Sequence, residues 1–215
     1  MLSDVFAIFP TTVARYNYLN HNIFKKELLE LLETTDNVRV DHDLNSKHYF
    51  EGNSKFLDLE IFKDFKKFLI DSANSYCNDL MRYQSNMVIT ESWINQTDST
   101  FSQYMHNHGN SFISATYYVN YDINIHSPIE FQNNRHKQTQ LPYIMMKPTE
   151  YNDLNCPGWV MGDLSEGQLV IWPSTLEHGY IKNKGDNRIS IAVNFLPEYI
   201  DNGVYKFRIG MVSDE

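Results

Sequence analysis

Two histidines stand two residues apart in the stretch YMHNHGNSF, at His106 and His108. In an extended chain residues i and i+2 share a face, so both imidazoles can reach one ion. A third histidine, His178, and an arginine, Arg188, lie in GDLSEGQLVIWPSTLEHGYIKNKGDNRISIAVNF, residues 162–195. Neutral imidazole binds divalent transition metals, and three ligands on one side of an ion leave other positions open for chemistry. The strand that Arg188 opens alternates unusually: Arg188, Ser190, Ala192 and Asn194 face one way, and Ile189, Ile191, Val193 and Phe195 the other. The first set makes a poor core and a suitable wall for a polar ligand cavity. A solvated face is the competing reading, weakened by Ala192 and by the lack of long charged side chains after Arg188. From HNH alone, a metal grip and a pair of surface imidazoles stand level.

The other histidines carry less. His21, His42 and His48 have no metal-binding spacing, and in the tripeptide Asp41-His42-Asp43 neighbours point to opposite faces. His126 and His136, in or near a long polar loop, are expected to be solvated.

These residues need elements to hold them. VFAIFPTTVARY (5–16) is bounded by Pro10 and a Thr pair, which suits an edge strand. In NIFKKELLELLETTDN (22–37), Ile23, Phe24, Leu28, Leu31 and Leu32 repeat at helical spacing, with Asn22 placed to cap. A second helix is expected from about residue 58, with Phe62, Phe65, Leu69, Ala73, Tyr76, Cys77 and Leu80 as one apolar, core-facing stripe. Beyond residue 85 come eight short β-branched and aromatic runs: 87–95, 100–106, 111–121, 128–132, 168–173, 178–182, 188–196 and 204–211. Such spacing predicts an antiparallel sandwich or barrel, with the helices packed on one outer face because they are too few to close a core alone. Residues 133–157 interrupt the strands as a long polar loop with an apolar middle, suited to a lid or to a disordered insertion.

Composition bounds the function. The 215 residues are 42% hydrophobic and 21% charged, as in globular proteins, and fourteen Tyr and thirteen Phe suit a sheet-rich core. A net charge of −9 opposes bulk nucleic-acid binding. Cys77 and Cys156 match no zinc spacing and make no disulfide framework, which fits a reducing compartment. The N-terminal residues MLSDVFAIFP do not read as a signal peptide, and no apolar run approaches membrane-spanning length.

With these residues in hand, the sequence resembles the Fe(II)- and 2-oxoglutarate-dependent oxygenases, most closely a bacterial and phage branch similar to prolyl 4-hydroxylases. FAIFPTTV resembles the branch's opening strand. SWIN (92–95), HNHGNSFISATYYVNY (106–121), GQLVIWPSTLEHGY (167–180) and NRISIAVNF (187–195) follow in the family's order. The resemblance implies a mainly β fold with flanking α, a double-stranded β-helix or jelly roll. It implies one domain over residues 1–215, helical to about 85 and jelly roll from about 86. It also implies His106 as the first iron ligand, His178 as the distal one, and Arg188, ten residues beyond, as the clamp on the far carboxylate of 2-oxoglutarate, with Ser190 beside it. His108 departs from the family, which usually has Asp or Glu there. By parity with His106, and because the next carboxylate is Asp122, His108 is expected as the third ligand. Asn95, Tyr104, Ser114 and Tyr117 are expected to line the cavity.

The implied activity is a dioxygenase reaction, a hydroxylation in particular. It uses Fe(II), O₂ and 2-oxoglutarate, releases succinate and CO₂, and acts on a peptide (a prolyl residue among others) or a small molecule in the cytoplasm of a bacterial or phage-infected cell. Two alternatives remain open at this level: a three-histidine cupin-type metalloprotein that does not use 2-oxoglutarate, and a non-enzymatic jelly-roll binding module. Arg188 and Ser190 speak against the first.

Overall fold

Strong β-branched and aromatic alternation becomes strand throughout the second half of the chain. The computed structural model describes residues 10–52, 54–132, 148–152 and 155–210. In chain order its elements begin with β1 (Ala14–Asn17), α1 (His21–Thr34), β2 (Val38–Asp41) and β3 (Ser46–Tyr49). Two 3-10 turns (Ser54–Asp58, Glu60–Phe62) then lead into α2 (Lys63–Asn74) with a π-helical extension (Ser75–Leu80). The strands β4 (Met87–Thr97), β5 (Gln103–His106), β6 (Ile113–Asn120), β7 (Glu130–Gln132) and β8 (Gly158–Val160) follow. The last are β9 (Gln168–Pro173), β10 (Glu177–Tyr180), β11 (Arg188–Pro197), β12 (Tyr199–Asp201) and β13 (Lys206–Arg208).

Seven strands form a major antiparallel sheet in the order β1-β9-β6-β11-β4-β3-β2, and four form a minor sheet, β5-β10-β7-β8. This is the expected jelly roll, or double-stranded β-helix. Side-chain alternation gives the major sheet two unlike faces. Outward, Ile94, Ile113, Ala115, Tyr117, Leu169, Ile171, Ile189, Ile191, Val193 and Phe195 form one cluster with Phe24 and Leu28 of α1 and Phe65, Leu69 and Ala73 of α2. Each fully buried Leu or Phe contributes about 1.5–3 kcal/mol, so this face holds the helices down. Inward, Tyr118, Tyr121, Ile129, Phe131, Met161, Leu164, Val170 and Trp172 form a smaller cluster between the sheets. Beside it the inner face turns polar and a cavity opens.

Several expectations shift. Seven of the eight expected strands join the two sheets, but residues 206–208 pair only with β12 in a separate ribbon. The hairpin β2–β3, read as part of a helical region, extends the major sheet beyond β4. The opening strand starts at Ala14. Residues 5–9 of the run expected there lie outside the described residues, and 10–13 are not strand. Most of the loop expected at 133–157 also lies outside them, as does His136.

Helix α1 starts before Asn22, with the Asn20 carbonyl accepting the Phe24 N–H at 3.1 Å. Ile23 is 64% exposed, because the arc set by Phe24 and Leu28 leaves it outside. Leu80 is exposed as well. The extension of α2 is bonded i→i+5, Met81 N–H to Tyr76 O at 3.1 Å, and the extra residue per turn rotates Leu80 off the stripe. His126 is buried, not solvated. Its Nδ1 accepts the Asp122 N–H at 3.0 Å and its Nε2 meets the Asp186 carbonyl at 2.9 Å, pinning one turn against another. Among the described residues no helix is long and apolar enough to cross a membrane.

Candidate active site

Strands β5 and β10 bring His106 and His178 face to face as register partners. The next pair in that ladder is Gln103 with Tyr180, three residues back on β5 against two forward on β10. The extra residue is a β-bulge, which lets both Gln103 and His106 face the cavity. Gly179 makes it possible. A Cβ there would lie 2.5 Å from the Gln103 carbonyl oxygen and 3.0 Å from that of Tyr104, so no larger residue fits without moving β5. His108 follows the strand, its N–H held by the Ser174 carbonyl at 2.9 Å.

The three rings converge. Centroids are 4.4 Å apart for His106 and His178, 5.1 Å for His106 and His108, and 5.2 Å for His108 and His178. One nitrogen of each lies within 4.8 Å of the others. His106 Nδ1 donates to the Tyr104 carbonyl at 2.8 Å and His178 Nδ1 to the Leu176 carbonyl at 3.0 Å. A carbonyl only accepts, so in both residues Nε2 keeps the lone pair that a metal needs. Burial lowers the pKa of His178 to about 3, outweighing the Leu176 carbonyl, and the neighbouring imidazoles lower it further. Burial, and then His106, lower His108 to about 4. Uncharged imidazole is the ligand form.

The opposite wall belongs to the major sheet. Ser190 stands across from Asn95 on one side and Tyr118 on the other, and Asn194 across from Glu91 and Ser114. Arg188 is 2% exposed, yet among the described residues no carboxylate pairs with it. Its Nε donates to the Ser127 carbonyl and its Nη1 to Ser190 Oγ, both at 3.3 Å, and its guanidinium lies 4.2 Å from the Tyr180 ring. Three buried polar atoms nearby have no hydrogen-bond partner among the described residues: Tyr118 Oη, Tyr121 Oη and Trp172 Nε1. Burial raises the Tyr118 hydroxyl and takes that of Tyr121 up to about 12, so both remain proton donors. An uncompensated buried cation with idle donors is costly unless an anion completes it. Three convergent, uncharged imidazoles at one end and a cationic, donor-rich pocket at the other fit a divalent ion together with a dicarboxylate.

Of the residues expected to line the cavity, His106, His108, His178, Arg188, Ser190, Asn95 and Ser114 do. Asn95 Oδ1 also meets His48 Nδ1 at 2.8 Å. Tyr104 and Tyr117 do not. Tyr104 is 86% exposed, because the bulge breaks the alternation that would have placed it beside His106. Tyr117 is buried on the helix side, its hydroxyl 2.8 Å from His21 Nδ1. Ser114 and Tyr117 are three apart in one strand, so parity alone already separated them and pointed to Tyr118. Trp93, Gln103, Trp172 and Tyr180, not anticipated, also line the cavity. The signal for Trp93 was its i−2 relation to Asn95.

The family model described as "Putative 2OG-Fe(II) oxygenase" matches residues 91–194. Among solved structures, HygX from Streptomyces hygroscopicus with nickel, 2-oxoglutarate and hygromycin B bound superposes with a TM-score of 0.58 at 14% identity, covering 87% of this chain and 83% of its own. A Pseudomonas putida prolyl-4-hydroxylase gives 0.56 at 10% identity, covering 86% and 92%. A prolyl hydroxylase in complex with a hypoxia inducible factor peptide fragment from Trichoplax adhaerens gives 0.57 at 14% identity, covering 86% and 84%. At these identities the likeness is one of fold. No curated protein sequence matches the chain.

Proposed function

We propose that this chain, whose residues 91–194 match the 2OG-Fe(II) oxygenase family model, is a 2-oxoglutarate-dependent dioxygenase built on the cavity between its two sheets. His106, His108 and His178 would hold Fe(II), His106 and His178 through the Nε2 lone pairs that their carbonyl partners leave free. Arg188 pairs with the far carboxylate of 2-oxoglutarate, its planar fork suited to two parallel bonds, and Ser190 and Tyr118 add hydroxyl donors. Bound iron and 2-oxoglutarate supply the oxidising chemistry: O₂-driven decarboxylation to succinate and CO₂, coupled to oxidation of a substrate C–H bond. The protein's part is to orient and to exclude water. Trp93, Trp172 and Tyr180 wall the cavity, and the carbonyls of Tyr104 and Leu176 keep two imidazoles aimed.

The observation that carries this reading is Arg188, a buried cation without a carboxylate among the described residues. A three-histidine metalloprotein that did not use 2-oxoglutarate would have no use for it. The substrate is a peptide or small molecule presented at the half-buried side of His106 and His108. The helices share one core with the major sheet, so we take helical part and jelly roll as a single domain. Both cysteines are free, in keeping with the cytoplasmic setting proposed.

The test is anaerobic. Addition of 2-oxoglutarate to the Fe(II)-loaded protein is expected to produce the weak visible charge-transfer band of the chelate, and subsequent oxygen to yield succinate. An Fe(II)-loaded protein that gives neither band nor succinate refutes the proposal.

A further inference from the structure

The three imidazoles are not held alike. His106 and His178 each give their Nδ1 hydrogen to a carbonyl. His108 Nδ1 instead lies 3.3 Å from Nδ2 of the Asn194 carboxamide. The same Nδ2 is 3.2 Å from Glu91 Oε2, while Asn194 Oδ1 accepts from Ser114 Oγ at 2.8 Å, and that hydroxyl is 2.8 Å from Ser174 Oγ. In this orientation the amide donates to His108. Its Nδ1 must then keep a lone pair, and the hydrogen of the neutral ring sits on Nε2, where an ion would bind. Rotated half a turn about its last bond, the same amide offers Oδ1 to His108 Nδ1–H and Nδ2–H to Ser114 Oγ. Nε2 is then free. The cost is an amide oxygen facing the Glu91 carboxylate.

We propose that Asn194 is the positioning residue for the third metal ligand. Bonded to Ser114 in both orientations but to Glu91 in only one, its carboxamide decides which nitrogen of His108 carries the hydrogen, and so how tightly the centre holds a divalent ion. This rests on the reading of His106, His108 and His178 as ligands. It makes the third ligand adjustable where the other two are fixed, and it assigns Glu91 an opposing role: the carboxylate favours the orientation that disfavours metal.

The experiment is Co(II) binding to the full chain without 2-oxoglutarate, followed by calorimetry and by the visible ligand-field spectrum. Asn194→Leu removes both orientations and is expected to weaken Co(II) about 10–100-fold, the usual effect of losing a hydrogen bond to a ligating histidine, and to alter the spectrum. Asn194→Asp, which only accepts, is expected to restore at least wild-type affinity. Glu91→Gln at the half-exposed rim is expected to bind Co(II) more tightly than wild type, because an amide there can donate to the rotated Asn194. Glu91→Gln leaves the core packing alone and tests the idea even if Asn194→Leu folds poorly. Wild-type affinity in Asn194→Leu, an Asp variant as weak as Leu, or unchanged or weaker binding in Glu91→Gln each overturns the proposal. His108→Ala separates the two levels. If it binds Co(II) as wild type does, the three-histidine reading itself falls. If it loses Co(II) while Asn194→Leu does not, only the role of Asn194 falls.

Discussion

Tyr117 and Tyr118 are neighbours in β6 and point to opposite sides of the major sheet. On the helix side the Tyr117 hydroxyl meets His21 Nδ1 at 2.8 Å, and His21 Nε2 lies 3.5 Å from Glu166. Glu166 accepts from Lys25 Nζ at 2.7 Å and from the Tyr121 N–H at 3.0 Å, and Lys25 also donates to Asn120 Oδ1 at 2.7 Å. Every group in that chain is answered by another part of the protein. On the cavity side Tyr118 Oη, Tyr121 Oη and Trp172 Nε1 have no such answer among the described residues, nor has Arg188 an acid among them. Both sides bury polar atoms; among the described residues folding leaves one small hydroxyl, Ser92 Oγ, unanswered on one side, and three donors around a cation on the other. The shortfall on the other is the mark of molecules that arrive later.

The contrast breaks most severely at His178. His178→Ala is expected to abolish turnover and Fe(II) or Co(II) binding while the metal-free melting temperature stays near wild type. Undiminished metal binding would remove the cavity from consideration as a metal site. Next is Arg188→Met, expected to weaken 2-oxoglutarate by about 2–5 kcal/mol, the cost of leaving a buried charge unpaired, with Co(II) affinity unchanged in its absence. Equilibrium binding by both variants tells clamp from metal site.

The tyrosine pair gives a smaller and sharper test. Tyr117→Phe is expected to cost about 1 kcal/mol of stability with no change in 2-oxoglutarate affinity. Tyr118→Phe is expected to leave stability equal or slightly higher, since an unpartnered buried hydroxyl is removed, and to weaken 2-oxoglutarate. Denaturant midpoints and binding isotherms for the two variants would show the crossover, and its absence would erase the distinction between the faces.

Smallest is the acid response of the helix-side chain. Burial lowers His21. Burial alone would raise Glu166, but Lys25 and the Tyr121 N–H outweigh it and hold the carboxyl below its usual range. Both groups bind protons more weakly folded than unfolded, so stability falls as pH drops: through the histidine range below about 6.5, then through the carboxylate range below about 4.3. Lys25→Met removes the main group holding Glu166 down and is expected to flatten the lower limb in thermal melts, with or without Co(II).

The sequence carried much of this. Alternation in 188–195 put Arg188, Ser190 and Asn194 on one wall, because a ten-residue strand in mid-sheet leaves no freedom of facing. The apolar stripes of both helices were equally plain. Apart from Tyr117 and Ile23, misplaced on regular elements, what failed did so where spacing departs from the regular period. Tyr104 sits at a bulge and Leu80 in a π-helical turn. His126 lies in a turn and meets backbone groups of Asp122, four residues back, and of Asp186, sixty residues on, which no side-chain pattern announces. The hairpin at 38–49 is made of two four-residue strands rich in charge, too short to outweigh the helical reading around it.

The bulge between Gln103 and His106 also sets what kind of change this chain tolerates. Facing at His106 depends on a count of residues, three on one strand against two on the other, and on a strand neighbour with no side chain at Gly179. Deleting one residue within the bulge leaves Gln103 and His106 two apart, the regular spacing that keeps both on one face opposite Tyr180 and His178. It is the bulge, accommodated by Gly179, that lets three residues do the same, so this segment should tolerate the loss of one residue better than a side chain at Gly179. An engineered deletion of Met105 is expected to leave His106 beside His178, whereas Gly179→Val would part them while every residue named in the chemistry stayed in the chain.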